Sequence, residues 1–276
     1  QARLAVLLPG LEGVAEVPYL QHMAQQLFGR GFDVVVLDHR GCGMPNHRFS
    51  SYHSGHTQDL RHFLQTPEAN QYAFRLGIGY SLGGNILLKY AGEEGFDVRL
   101  NAVAAIAPPF DLALSSEALQ RRYHGLLGRY FLFHLRRRVA AKARRWPEAL
   151  PPQKLQACRT VRDFDNLYTA PAHGFRSADD YYQRNSSQHF IHALAVPSFV
   201  LHSWNDPVNP LPQHIAKRME GQPMVDAICP DRGGHMGFPQ RHMAAPLWHE
   251  RQVMAWLTSR GMQPPFDDDL AQKATA

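Results

Sequence analysis

The chain has 276 residues, enough to bury a large core as one α/β domain with an insertion or as two small domains. Its three cysteines, Cys42, Cys158 and Cys229, are odd in number and widely spaced, which argues against a disulfide framework and fits a reducing cytosol. No apolar run is long enough to span a membrane, no secretory signal is visible, no cysteine has metal-ligand spacing, and there is no internal repeat. The formal charge of +5 is localised. Nine basic residues between Leu119 and Arg145, with no acidic residue among them, leave the rest of the chain net negative.

In chain order, Leu4–Leu8 reads as a strand. It leads into the loop Pro9-Gly10-Leu11-Glu12-Gly13. His53-Ser54-Gly55-His56 lies in a loop entering a helix. Without H-E-x-x-H or an obvious third ligand, it reads as packing and capping rather than as a metal centre. Phe74–Ile78 reads as a short buried strand, and 84–91 as a helix packing Ile86, Leu87 and Tyr90 inward. Between them, Gly79-Tyr80-Ser81-Leu82-Gly83 fits G-x-S-x-G, a serine nucleophile on a sharp strand-to-helix turn. Strand and helix crowd such a serine from both sides, so Gly79 and Gly83 are the residues that avoid a collision.

A serine hydroxyl needs a histidine to take its proton and an acid to orient that histidine. On scaffolds that present serine this way, the acid follows in the chain and the histidine comes last. Val196–His202 reads as a strand, and Asp206 stands just beyond it, before Pro207. Met224–Cys229 reads as the last strand, followed by Asp231-Arg232-Gly233-Gly234-His235-Met236-Gly237. There are sixteen histidines, and the glycines around His235 set it apart as the base. Asp231 is the rival acid, disfavoured because it lies close before His235 in the same loop and is less well placed to face its Nδ1. The oxyanion hole would use backbone N–H groups of Leu82, after the serine, and Leu11, in the loop after the first strand.

These pieces together resemble the α/β-hydrolase fold, and more narrowly the YheT-like hydrolases and the related eukaryotic α/β-hydrolase-domain subgroup. The resemblance runs from about Leu4 to Leu257. It rests on Gly10-Leu11-Glu12-Gly13, Asp38-His39-Arg40-Gly41-Cys42-Gly43, Tyr52-His53-Ser54-Gly55-His56-Thr57-Gln58-Asp59-Leu60, the elbow with Gly84-Asn85, Arg162-Asp163-Phe164-Asp165, Ala178-Asp179-Asp180-Tyr181-Tyr182 and Gly233–Phe238. It implies a mostly parallel central sheet flanked by helices, and a serine hydrolase acting on short- or medium-chain carboxylic esters without a cofactor. It carries the nucleophile onto Ser81, the acid onto Asp206 and the base onto His235. The family usually has His where Pro9 stands here. Family members also have two or more strands before Leu4, so the outer N-terminal strands are expected to be absent from this chain, which starts at Gln1.

On that scaffold, residues 108–195 form a mostly helical cap over Ser81, inserted into a core of 1–107 and 196–261, with a polar tail at 262–276. Tyr123, Leu126, Leu127, Tyr130, Phe131, Leu132, Phe133 and Leu135 would give the cap an apolar side lining an acyl pocket. The basic residues of 119–145 read first as a solvated face above a buried apolar one, with anionic lipid head groups, a peripheral membrane contact, or acidic substrates as the alternative. Pro151-Pro152 breaks the cap, and 160–187 packs near the entrance, where Asp163, Asp165, Asp179 and Asp180 read as turn and cap residues. The expected partner is a small-molecule ester rather than nucleic acid, and the expected location is the cytoplasm. The alternatives are a lipase, thioesterase or transacylase, and a binding protein on the same scaffold. A dinucleotide site is disfavoured because Leu82 stands where G-x-G-x-x-G needs glycine.

Overall fold

The structure is a computed structural model that describes residues 2–240 and 246–262. Six strands form one sheet: β1 (Arg3–Leu8), β2 (Asp33–Val36), β3 (Phe74–Tyr80), β4 (Ala102–Ile106), β5 (Ser198–Leu201) and β6 (Val225–Ile228). Their order is β2-β1-β3-β4-β5-β6, and every pairing is parallel. Parallel strands need crossovers, so helices cover both faces and the central strands are apolar throughout. β1 shows how this works. Alternate side chains point to opposite faces. Ala5 and Leu7 therefore join one core cluster with Leu20, Met23 and Leu27, while Leu4, Val6 and Leu8 join the other with Leu82, Ile86 and Leu87.

The first of those clusters lies under α1 (Pro18–Phe28) and the last described helix, α12 (Trp248–Ser259). Two short helices, α2 (Gln58–Leu64) and α3 (Pro67–Asn70), precede β3, and α4 (Leu82–Glu94) follows it. α4 was expected to bury one face. It is buried on every side from Leu82 to Gly92, because the short turns Ser187–His189 and Ile191–Ala193 pack on the side away from the sheet. The chain winds outward in opposite directions from β1 and β3. In open α/β sheets ligands collect at the carboxyl ends of strands beside such a reversal, and Ser81 stands there.

Between β4 and β5 the chain is helical: α5 (Leu112–Arg121), α6 (Leu126–Arg145), α7 (Pro152–Ala157), α8 (Val161–Phe164), α9 (Ala170–Ala172) and α10 (Ala178–Asn185). After β5 comes α11 (Gln213–Glu220). Tyr123 (φ 49°), His124 (φ 54°) and Gly125 (φ 73°) adopt left-handed backbone, which separates α5 from α6. The apolar residues of α6 do not all turn inward as expected. Leu132, Leu135 and Val139 are buried, whereas Tyr123, Leu126, Tyr130 and Phe133 are exposed. The expected strands fall where predicted, with ends shifted by one or two residues. β5 starts only at Ser198, since Pro197 has no N–H to give the sheet. β2 was not anticipated. The expected polar tail lies outside the described residues apart from Met262. Among the described residues, no helix is long and apolar enough to cross a membrane.

Candidate active site

Ser81 joins β3 to α4 in a strained conformation, φ 49° and ψ −117°. Its N–H donates to the Ile106 carbonyl at 2.7 Å, which ties the turn to β4. A Cβ added at Gly79 would lie 2.4 Å from the Gly83 carbonyl oxygen. One added at Gly83 would lie 2.4 Å from the Leu8 carbonyl oxygen. Backbone sits on both sides, so neither position admits a side chain.

Asp206 lies in the loop after β5 and is only 1% exposed. Its Oδ1 accepts the N–H groups of Val208 and Asn209 at 2.8 and 2.9 Å. Its Oδ2 accepts His235 Nδ1–H at 2.8 Å. That fixes the His235 tautomer and leaves Nε2 to accept the Ser81 hydroxyl at 3.1 Å. The three residues named from sequence thus form one hydrogen-bonded chain. Asp231, the rival acid, is exposed in its loop and does not take this place.

Sequence reasoning missed the residues that hold this chain together. Asn205 Oδ1 accepts the N–H groups of Gly233 and Gly234, both at 2.9 Å. Ser203 donates to the Gly234 carbonyl at 2.7 Å. The acid loop therefore grips the histidine loop from two sides. Asn209 Nδ2 donates to the Ala107 carbonyl at 2.8 Å and lies 3.5 Å from Ser81 Oγ. The available signal was the polar run Ser203-Trp204-Asn205-Asp206 directly after an apolar strand, which the turn reading reduced to its aspartate.

Leu11 and Leu82 both line the cavity with Ser81. In the loop after β1, Gly10 N–H donates to Tyr19 Oη, Glu12 N–H to Tyr52 Oη and Gly13 N–H to the Gly10 carbonyl. Among the described residues, neither Leu11 N–H nor Leu82 N–H has an acceptor within the chain. Glu12 (φ 63°) holds the bend, and Arg138 of α6 holds Glu12. The guanidinium pairs with the Glu12 carboxylate and lies 4.3 Å over the Tyr52 ring, whose hydroxyl also donates to Glu12 at 2.8 Å. The Pro9 carbonyl accepts His39 Nε2–H at 3.0 Å.

The cavity beside Ser81 has a volume of about 100 Å³. Leu82, Leu112, Phe131, Leu135 and Phe164 give it apolar walls. Asp165 also lines it, which departs from the turn role expected for that residue. It is buried, its carboxyl is pushed up to about 6 by loss of solvent, and it accepts the Tyr182 hydroxyl at 2.6 Å. Asp163, by contrast, caps α8, and Asp179 and Asp180 pair with arginines.

The loop before α2 also differs from its reading. His173, just after α9, meets His53 and His56, and one ring nitrogen from each lies within 4.8 Å of the others. The third imidazole was invisible in sequence because 117 residues separate it from His56. Gly55 N–H donates to His53 Nδ1 at 3.1 Å, so that nitrogen acts as an acceptor and the ring proton sits on Nε2. His56 and His173 keep nitrogens available to a metal, and His53 would have to give up this bond to ligate. Burial, followed by its histidine neighbours, holds the His53 imidazole well below its ordinary range. The cluster joins the loop before α2 to the helical segment between β4 and β5.

A family model described as "Serine aminopeptidase, S33" matches residues 4–226. The Escherichia coli (strain K12) protein named "Putative esterase YheT" is 34% identical over 259 residues, which cover 92% of this chain and 76% of that protein. The chain is a YheT-like α/β-hydrolase. A yeast relative from Saccharomyces cerevisiae, named "Medium-chain fatty acid ethyl ester synthase/esterase 2", is 31% identical over 268 residues. That match covers 85% of this chain but 58% of the relative, so this YheT-like chain spans little more than half of the yeast protein. The fold is shared with a solved esterase from Pyrococcus furiosus, 15% identical, with a TM-score of 0.63 over 93% of this chain and 82% of that one.

Proposed function

We propose that this hydrolase cleaves carboxylic esters of short or medium acyl chain through Ser81, His235 and Asp206. The observation that carries the reading is the continuous relay from Asp206 Oδ2 to His235 Nδ1 and from His235 Nε2 to Ser81 Oγ, at 2.8 and 3.1 Å. Ser81 Oγ attacks the ester carbonyl carbon as its proton passes to His235 Nε2. Asp206 stabilises the imidazolium. The carbonyl oxygen becomes an oxyanion, which Leu11 and Leu82 N–H groups receive. His235 then protonates the departing alcohol, leaving Ser81 acylated. Water repeats the sequence with its proton going to His235, releasing the acid and free serine.

The space available supports the proposed acyl length. The cavity of about 100 Å³ is far below the roughly 300–1,000 Å³ of drug-sized pockets. Its apolar walls favour a hydrocarbon chain over a charged one. The test is a series of p-nitrophenyl esters of increasing chain length. We expect kcat/KM to peak at short or medium chains and to vanish in Ser81→Ala. Equal turnover of long-chain esters, or activity retained in Ser81→Ala, would overturn the proposal.

A further inference from the structure

We propose that the outward face of α6 docks on an anionic lipid bilayer. This inference stands apart from ester hydrolysis, because it concerns a surface that does not line the catalytic cavity.

The helix has two faces with different occupants. Leu132, Leu135 and Val139 are buried against the rest of the cap. Two of its basic residues also turn inward. Arg138 pairs with Glu12, and Lys142 donates to the carbonyls of Arg48, Phe49 and Ser50. Half a turn away, Leu126, Tyr130 and Phe133 follow one another at helical spacing, each 59% exposed. Tyr123, 61% exposed, extends this stripe, projected by the left-handed turn at Tyr123 and His124. A helix face that met only water would carry polar residues here.

The charges around the stripe say what covers it. Arg122, Arg129, Arg137 and Arg144 are exposed on and beside the same face. Among the described residues, none of the four forms an ion pair with a carboxylate. Large apolar and aromatic side chains ringed by unpaired arginines match an interface with hydrocarbon below and phosphate above. A second copy of this chain would set arginine against arginine across the contact. Phe131 and Leu135, on the inner side of this helix, line the cavity. Docking would therefore hold the catalytic cavity close to the lipid surface.

The test is sedimentation of the folded protein with vesicles of phosphatidylglycerol mixed with phosphatidylcholine, against phosphatidylcholine alone, at low and high salt. We expect binding to the anionic vesicles only, weakened by salt. Arg129→Gln, Arg137→Gln and Arg144→Gln should each weaken it about five-fold. A Leu126→Ser, Tyr130→Ser, Phe133→Ser triple variant should lose it, with its thermal midpoint and turnover of a soluble ester unchanged. No binding by the wild-type protein would overturn the proposal. So would equal binding to neutral vesicles, or binding indifferent to these substitutions. A dimer in sedimentation velocity that Phe133→Ser dissociates, or tighter salt-sensitive binding of duplex DNA through the same arginines, would assign the face to another partner and also overturn it.

Discussion

Asp206→Asn separates the chemistry of the site from its architecture. Asparagine has nearly the shape of aspartate, so its Oδ1 keeps the Val208 and Asn209 N–H bonds. The other end changes sign. An amide NH2 now faces His235 Nδ1, where a carboxylate oxygen accepted at 2.8 Å. The imidazole must offer Nδ1 as an acceptor and carry its proton on Nε2, pointing at Ser81. It then lacks the lone pair that takes the serine proton. The expected loss is about 10,000-fold in kcat, or about 5 kcal/mol of transition-state stabilisation. Stability should change by only about 1 kcal/mol. Asp206→Ala is the contrast. It strands two buried N–H groups at about 1–3 kcal/mol each, so it should lose activity and about 2–6 kcal/mol of stability together. The assay pairs kcat on a p-nitrophenyl ester with urea unfolding followed by circular dichroism. The reasoning fails if Asp206→Asn keeps more than about a tenth of wild-type kcat. It also fails if Asp231→Asn is the change that abolishes turnover.

Arg138→Met tests whether α6 holds the loop after β1, to which the proposed mechanism gives one oxyanion donor. It leaves the Glu12 carboxylate, 19% exposed, without its guanidinium, and should cost about 2–3 kcal/mol of stability with about a ten-fold fall in kcat. Adding Glu12→Gln should restore much of the stability, and a double-mutant cycle with no coupling would refute the link. Acid should weaken the fold through buried histidines. Burial lowers His39 to about 4 from an unfolded value near 6.5, so its neutral form favours the native state above pH ~6.5. That contribution is lost as pH falls through this window toward 4, by up to about 3 kcal/mol. His39→Gln, whose amide still reaches the Pro9 carbonyl, should show a shallower decline in urea midpoint over the same range. Equal slopes would contradict the assignment.

Much of the site was legible because its parts are local in sequence. The elbow glycines are imposed by backbone contacts 2.4 Å from where a Cβ would be, a constraint that leaves a five-residue signature. Parallel strands buried on both faces leave continuous apolar runs, which is why β1, β3 and β5 were readable within a residue or two. β2 is only partly buried and short, so its run was weaker. What stayed hidden depends on contacts across the chain. Asn205 holds Gly233 from 28 residues away, and Arg138 of α6 reaches Glu12 in the loop after β1. The apolar residues of α6 could not be sorted into inward and outward sets without knowing where the cap rests. Its length carries two apolar rows, and periodicity alone does not say which is covered.

The most direct test of the account is covalent labelling with a fluorophosphonate, which reacts only with a serine that its base has activated. The account predicts labelling at Ser81 in the wild-type protein, none in Ser81→Ala, and loss of labelling in His235→Ala with the fold intact. Labelling that persists in His235→Ala, or none in a folded wild-type protein, would contradict a working Ser81–His235–Asp206 relay.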